Sequence, residues 1–462
     1  MPAGTPAPPL PCIPKRVFSM TVSLGKSIKT QFVGNVLFSL LMVAAAMLTA
    51  RILGPADRGL LRLAQLLPLV LTKIFSFGLD ISSAAFPGLY PDRRRELFLL
   101  TVLLSLAGSL LAILIEYLFF ALPFPKGQFG QMTPLLITLS IVYIPFFMLA
   151  QNLMTFVRGC GQIDRSVRVQ LIQTSSLLVL LLIFVLAGRF TVPLAMTLFI
   201  LCTLPGIVLA VAYLRPYWNL RWFTQTGSLL KTSLQFGMQV SLSHIASFLV
   251  LYQDQVMLGF MVPLAQVGQY MISVSVAERM RLLPNAVSMA FLPHLSSDLQ
   301  NRQAEVPRTF RLTLLISLLA LVPYGLLGTA AIALLLGRPY AGSIAPFLIL
   351  IAGVAVVGAA DILAGDLAAR QKPKYAVING YTTFLLNLVL NFLFIPSMSI
   401  IGAALASTLA YWLSAALWIF FYLRESKRPL RCLRFEADDF RFLLQTARDL
   451  LRRTAGRFHK SA

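Results

Sequence analysis

Apolar runs of about 20 residues recur along the whole chain, and they constrain its fold more than any single motif. At 1.5 Å of helical rise per residue, each run is long enough to cross the roughly 30 Å hydrocarbon core of a bilayer. Backbone N–H and C=O groups meet no water there, so each run must close its hydrogen bonds internally, as a helix does. Twelve helices are predicted, at 32–50, 60–81, 97–121, 134–157, 169–187, 192–214, 235–259, 266–292, 312–336, 344–368, 376–395 and 400–423. The shorter gaps hold Pro, Gly and charges, as turns do. Composition agrees: 58% of residues are hydrophobic and 12% charged, against roughly 25% charged in soluble domains. The expected class is all-α integral membrane.

Basic residues set the orientation. With the N-terminus in the cytoplasm, the inner segments carry four (Lys15, Arg16, Lys26 and Lys29), then five groups of three, from Arg93, Arg94 and Arg95 to Arg370, Lys372 and Lys374, then eleven in the tail. On this reading 30 of the 39 Lys and Arg residues fall inside. The outer loops hold Arg51, Arg58, Lys126, Arg189 and Arg338. A multi-pass protein of the cytoplasmic (inner) membrane with both termini inside is expected. The net charge of +22 then reflects topology rather than a nucleic-acid footprint. A polybasic inner face also favours anionic lipids as partners. The four cysteines lie far apart, so no disulfide framework is indicated.

The chain divides into five parts. Residues 1–25 are too Pro-rich for a signal-peptide core or a helix and read as a disordered cytoplasmic lead, with Met1 or Met20 as the start. An N-terminal six-helix lobe covers 26–214, a cytoplasmic linker 215–232 and a C-terminal six-helix lobe 233–423. The tail, 424–462, places Phe440, Leu443, Leu444, Ala447, Leu450 and Leu451 at helical spacing among arginines, with Asp438 as N-cap. It reads as a basic amphipathic helix on the inner leaflet, or a solvated or partner-bound one.

The lobes repeat each other. Gln31-Phe32 leads to Leu53-Gly54 and then Pro87; Gln235-Phe236 leads to Leu258-Gly259 and then Pro293. Two halves of six helices enter the bilayer the same way, related by an axis along its normal, with the substrate path between them.

Charges inside the spans point to what that path carries. A charge at mid-bilayer costs about 2.5–3.5 kcal/mol on insertion scales, yet the second helix holds Arg62, Lys73 and Asp80. At 100° per residue all three fall on one stripe. The stripe lines a wet cavity, or its charges pair in the interior or snorkel to the surface. On the eighth helix Glu278, Arg281, Asn285 and Ser288 share an arc of about 80°, with Tyr270 nearby and Arg279 pointing off it. Ser243, Ser247 and Asp254 form a polar stripe on the seventh, where Asp254 is either a solvated carboxylate or a coupling group. Glu116, Asp361 and Asp366 read as boundary charges.

Two basic faces across a cleft suit an anion, and arginine forks and lysine point charges suit phosphate. Candidate headgroup cations are Arg62, Lys73, Arg279 and Arg281; candidate coupling or pairing acids are Asp80, Asp254 and Glu278. No nucleotide-binding P-loop or H-E-x-x-H motif occurs, so no enzyme, metal or cofactor is expected. Energy would come from the substrate's own gradient, the membrane potential, or protons or sodium. His244 is either a structural histidine or a proton shuttle.

At "TARILGPADRGLL", residues 49–61, the chain resembles the polysaccharide-biosynthesis or oligosaccharide flippases of the multidrug/oligosaccharidyl-lipid/polysaccharide exporter superfamily. Arg51, Leu53, Gly54, Pro55 and Gly59 match that family's first turn. Asp254, Leu258, Gly259, Gly268, Tyr270 and Pro293 match its seventh and eighth helices; Asn391, Pro396, Gly402 and Ala403 match its penultimate hairpin. The resemblance covers roughly residues 25–423. It implies two six-helix lobes around a central cavity, alternating access, and undecaprenyl-pyrophosphate-linked oligosaccharide as substrate. O-antigen, capsule or exopolysaccharide would be the product, with a glycan polymerase or glycosyltransferases as partners. The first turn is also similar to that of lipid II flippases, which tend to carry two further helices. Alternatives are an ion-coupled small-molecule or multidrug exporter of the same superfamily, or a major-facilitator transporter. Against the latter, "GLYPDRRR" at 88–95 lacks the expected loop pattern. A non-transporting scaffold leaves the charged stripes unexplained.

Overall fold

The computed structural model describes residues 21–123, 125–188, 190–218, 226–291, 299–370, 372–441 and 445. These residues are helical or in turns, with no strand among them. In chain order the helices are α1 (Thr21–Phe75), α2 (Leu79–Leu89), α3 (Arg94–Ala121), α4 (Pro134–Gly159), α5 (Ile163–Leu186), α6 (Val192–Leu201) and α7 (Thr203–Leu214). The second half holds α8 (Thr226–Met261), α9 (Leu264–Ala277), α10 (Leu282–Phe291), α11 (Leu299–Leu336), α12 (Ile344–Ala369) and α13 (Lys374–Ser426). Local sequence explains several starts. Thr133 and Thr191 each accept the backbone N–H three residues on, at 3.3 and 3.4 Å, with proline in the first turn of α4 and α6.

Two long helices are hairpins. A straight α1 would run roughly 80 Å, yet Met42 to Ala46 and Arg58 to Gln65 line one cavity. The chain reverses at Gly54, where φ is 75°, a conformation that favours glycine. Pro55 then opens the returning helix. In α13, the Asn379 side chain donates to the Ser414 carbonyl at 2.9 Å although 35 residues separate them. That reversal falls at Ser399, three residues after Pro396. Beyond it, a β-carbon on Gly402 would come within 2.3 Å of the Phe394 carbonyl oxygen. With these reversals, the path fits twelve crossings in two lobes.

Eight of the described helices are long and apolar enough to cross a membrane. Leu110 and Leu114 on α3, and Leu326 and Leu327 on α11, lie exposed on the outer wall, where a lipid solvent suits them and water would not. The largest buried core joins both lobes, from Leu61 and Leu66 on α1 to Tyr270 on α9 and Phe347 on α12. Glycine permits the closest approach. A β-carbon on Gly59 would stand 2.1 Å from the Leu264 carbonyl oxygen where α1 crosses α9. On the side of Arg93 to Arg95, one on Gly78 would stand 2.1 Å from the Gly237 oxygen of α8.

The sequence repeat is looser in space than in spelling. Gly54 makes a turn, whereas Gly259 is helical and ends three residues short of its turn. Its missing side chain lets α8 pack on the Phe129 ring, 2.6 Å from where a β-carbon would sit. Pro293, residues 219–225 of the linker and the tail beyond 441 apart from residue 445 lie outside the described residues.

Candidate functional site

A cavity of about 230 Å³ lies between the lobes, walled by both arms of α1, by α8 and by α9. Arg58, Arg62 and Arg279 face it. Arg62 donates to the Gln255 side-chain oxygen at 2.8 and 3.2 Å and stands 5.7 Å over the Tyr252 ring. Arg279 reaches Ser39 at 3.3 Å. Among the described residues, none of the three arginines has a carboxylate within ion-pair distance, and Nε and one terminal nitrogen of Arg58 are buried without a hydrogen-bond partner. Glu278 also lines this cavity, but it lies 3.6 Å from Arg281 and accepts from Tyr411 at 3.3 Å. Unpaired guanidinium groups in a low-dielectric wall are costly unless an anion meets them.

Arg58 corrects the expected topology. Counted by sequence as an outer-loop charge, it is only 6% exposed and stands one turn before Arg62 on the same helical face. The signal was Pro55 directly after Gly54: proline at a first helical position starts the helix early enough to carry Arg58 inward.

The eighth crossing distributes its charges differently from the predicted arc. Met271, Ser275 and Arg279 face the cavity, so Arg279, expected to point off the charged arc, is the arginine of this segment that reaches the seam. Arg281 faces the C-terminal lobe instead, where it meets Asp361 at 2.8 Å in a smaller cavity of about 140 Å³. Asp361 is thus the partner of Arg281 rather than a simple boundary charge. Periodicity located the charged helix but could not tell which of two adjacent stripes faced the seam.

Lys73 and Asp80 are likewise separated from Arg62. The second crossing is broken at Ser76–Gly78, with positive φ at Phe77 and Gly78, and Lys73 pairs with Asp80 across that break. Both line a second cavity, of about 330 Å³, with Arg158 of α4 and Phe248 of α8.

Asp254 is buried among α8, α9 and α13 rather than solvated at an outer mouth. Tyr270 donates to it, as do Ser407 at 3.2 Å and the Gln255 backbone at 2.7 Å. Nearby, Asn391 donates to Asn387 at 2.8 Å, and Asn387 to the Val250 carbonyl at 3.2 Å. Asn387 went unremarked in the sequence, although it precedes Asn391 by one turn. Glu116, read as a boundary charge, is fully buried and accepts from Ser140. Arg51 is exposed, and so is His244. Ser247 lines the smaller cavity; the side chains of Ser243 and Ser288 lie outside the described residues.

Comparison with known proteins agrees with this architecture. The family described as polysaccharide biosynthesis protein matches residues 24–300. A probable low-salt glycan biosynthesis flippase of Haloferax volcanii, Agl15, is 25% identical over 182 residues, 38% of this chain and 38% of that protein. The chain therefore matches well under half the length of that curated relative. Lipid II flippase MurJ in an inward closed conformation superposes with a TM-score of 0.68 at 15% identity, over 91% of this chain and 96% of that one. An inward-facing MATE family multidrug resistance transporter of the MOP superfamily gives 0.63 at 13% identity, over 84% and 94%. These likenesses show a shared fold. With that fold, and a family match over more than half of its length, the chain belongs to the polysaccharide biosynthesis protein family.

Proposed function

We propose that the protein is a flippase that carries undecaprenyl-pyrophosphate-linked oligosaccharide across the cytoplasmic membrane by alternating access, supplying O-antigen, capsule or exopolysaccharide synthesis. The observation that carries this reading is the convergence of Arg58, Arg62 and Arg279 on the inter-lobe cavity without a carboxylate partner. Guanidinium forks can bind pyrophosphate oxygens in pairs, and exclusion of water strengthens each contact. The lipid tail stays between helices, against the apolar outer wall. When the lobes rock and water enters, the same charges are screened and the headgroup is released.

The cavity's positive sign disfavours a cationic drug as cargo, which argues against a multidrug exporter. No covalent step is needed, and the protein acts as a transporter rather than an enzyme. The basic loops support a cytoplasmic position for both termini, beside anionic lipids and the polymerase or glycosyltransferases of the same glycan. Asp254, held by Tyr270 and Ser407, is the group proposed to couple a proton or sodium gradient to the cycle.

The test is flipping of a labelled lipid-linked oligosaccharide by purified protein in liposomes, with and without an imposed gradient. Wild-type protein should flip it, and Arg62→Gln should not while remaining folded. A wild-type protein that leaves the lipid unflipped, or an Arg62→Gln variant with full activity, would overturn the proposal.

A further inference from the structure

One helical face of α1 lines two cavities in succession. Arg58, Arg62 and Gln65 face the inter-lobe cavity; Leu69, Thr72 and Lys73 continue the same spacing into the larger one. Lys73 lies eleven residues beyond Arg62, about 16 Å along the helix, too far for one pyrophosphate to touch both. Between the cavities stands an aromatic pair on α8. Phe248 faces the larger cavity and Tyr252 the inter-lobe one, with ring centroids 4.4 Å apart.

The larger cavity has the chemistry of an anion site. Arg158 faces it, and its buried Nε has no hydrogen-bond partner among the described residues. Lys73 supplies a second cation, held by Asp80 in the structure as it stands. Gln151 and Thr155 add neutral polar groups on the wall. A latch joining α1 to α2 would need only the Lys73–Asp80 pair, not an unsatisfied arginine facing a cavity of about 330 Å³.

Resting on the flippase reading above, we propose that this cavity is a second station for the pyrophosphate group, from which it passes to the arginine cluster by way of the Phe248–Tyr252 partition. The incoming anion takes Lys73 from Asp80 and satisfies Arg158. Asp80 leaves this station with less net positive charge than the arginine cluster, which favours onward movement. Arg62 over the Tyr252 ring marks where the arginine cluster begins.

Binding of radiolabelled inorganic pyrophosphate to the full chain in nanodiscs tests this. Wild-type protein should bind two per chain. Lys73→Gln combined with Arg158→Gln should leave one, and Arg58→Gln combined with Arg62→Gln should leave the other. Asp80→Asn should tighten the Lys73–Arg158 station several-fold and make the melting temperature more responsive to pyrophosphate than in wild type; an ion pair that only holds the fold would lower the melting temperature without that response. Unchanged binding in the Lys73/Arg158 double variant overturns the second station while the arginine cluster stands. Loss of binding only from the arginine cluster would have the same meaning. Polyprenyl pyrophosphate added to the nanodiscs should displace the label from both stations. If it spares the label at Lys73, the cavity takes a soluble anion and the transfer is overturned.

Discussion

Gly268 of α9 and Pro55 of α1 meet so closely that a β-carbon on the glycine would lie 2.0 Å from the proline carbonyl oxygen. Backbone, not a movable side chain, fills that space. Gly268→Ala must therefore push the two helices apart at the crossing that joins the lobes. Overpacking of this kind costs about 1–3 kcal/mol. The expected result is a lower melting temperature and slower flipping. Gly365→Ala is the control, since nothing lies within 4 Å of its added carbon; equal melting curves for the two variants would refute the tight crossing.

Arg58→Gln should separate stability from activity. It removes a buried guanidinium whose neighbour Arg62 repels it. The melting temperature should hold or rise, while flipping falls by at least about tenfold, the equivalent of 1.4 kcal/mol. A fall in both would mean that Arg58 serves the fold.

Lys73→Ala alone should destabilise by up to about 3 kcal/mol because Asp80 is left without its partner. Lys73→Ala with Asp80→Ala should recover part of that loss. Detergent melting of both single variants and the double variant measures the coupling. Additive losses would show that the pair contributes nothing to stability.

The start of the tail docks on the C-terminal lobe. Arg311 of α11 meets Asp439 at 2.7 Å, Glu436 at 3.1 Å and the Cys432 carbonyl at 2.8 Å. Burial alone would raise the Asp439 pKa, but hydrogen bonds from Arg311 and the Glu436 backbone, with the charges of Arg311 and Arg308, hold it below the ordinary value. A lowered folded pKa means the contribution is full above the free aspartate value of about 3.9 and is lost as pH falls through the folded one. Trypsin cleavage at Arg434 should therefore be slow at neutral pH and fast in Arg311→Ala. Equal cleavage rates at neutral pH would exclude the dock.

Reporter fusions check the orientation. A reporter active only outside the cytoplasm should work after Gly127 or Arg338 and be silent after Arg94 or Lys372. Activity after Arg94 would overturn the twelve-crossing order.

The sequence by itself determined that the chain is a bundle of membrane helices, because apolar length and missing backbone partners in lipid leave no other solution. It also revealed the turn at Gly54-Pro55 and the helices that carry charge, whereas the close crossings at Gly59 and Gly268 emerged only from the packing. Which charges share a cavity was decided only by tertiary packing. Arg62 and Lys73 occupy one face at helical spacing, yet an aromatic pair from α8 divides that face into two compartments. Arg279 and Arg281 are two residues apart in the turn between α9 and α10, and the neighbouring helices alone send one to the seam and the other to Asp361. Asp254 looked like a rim carboxylate by its distance from the helix end, but Tyr270 and Ser407 close over it from two other helices. Helical periodicity fixes angles about one axis, whereas a site is made where several axes meet.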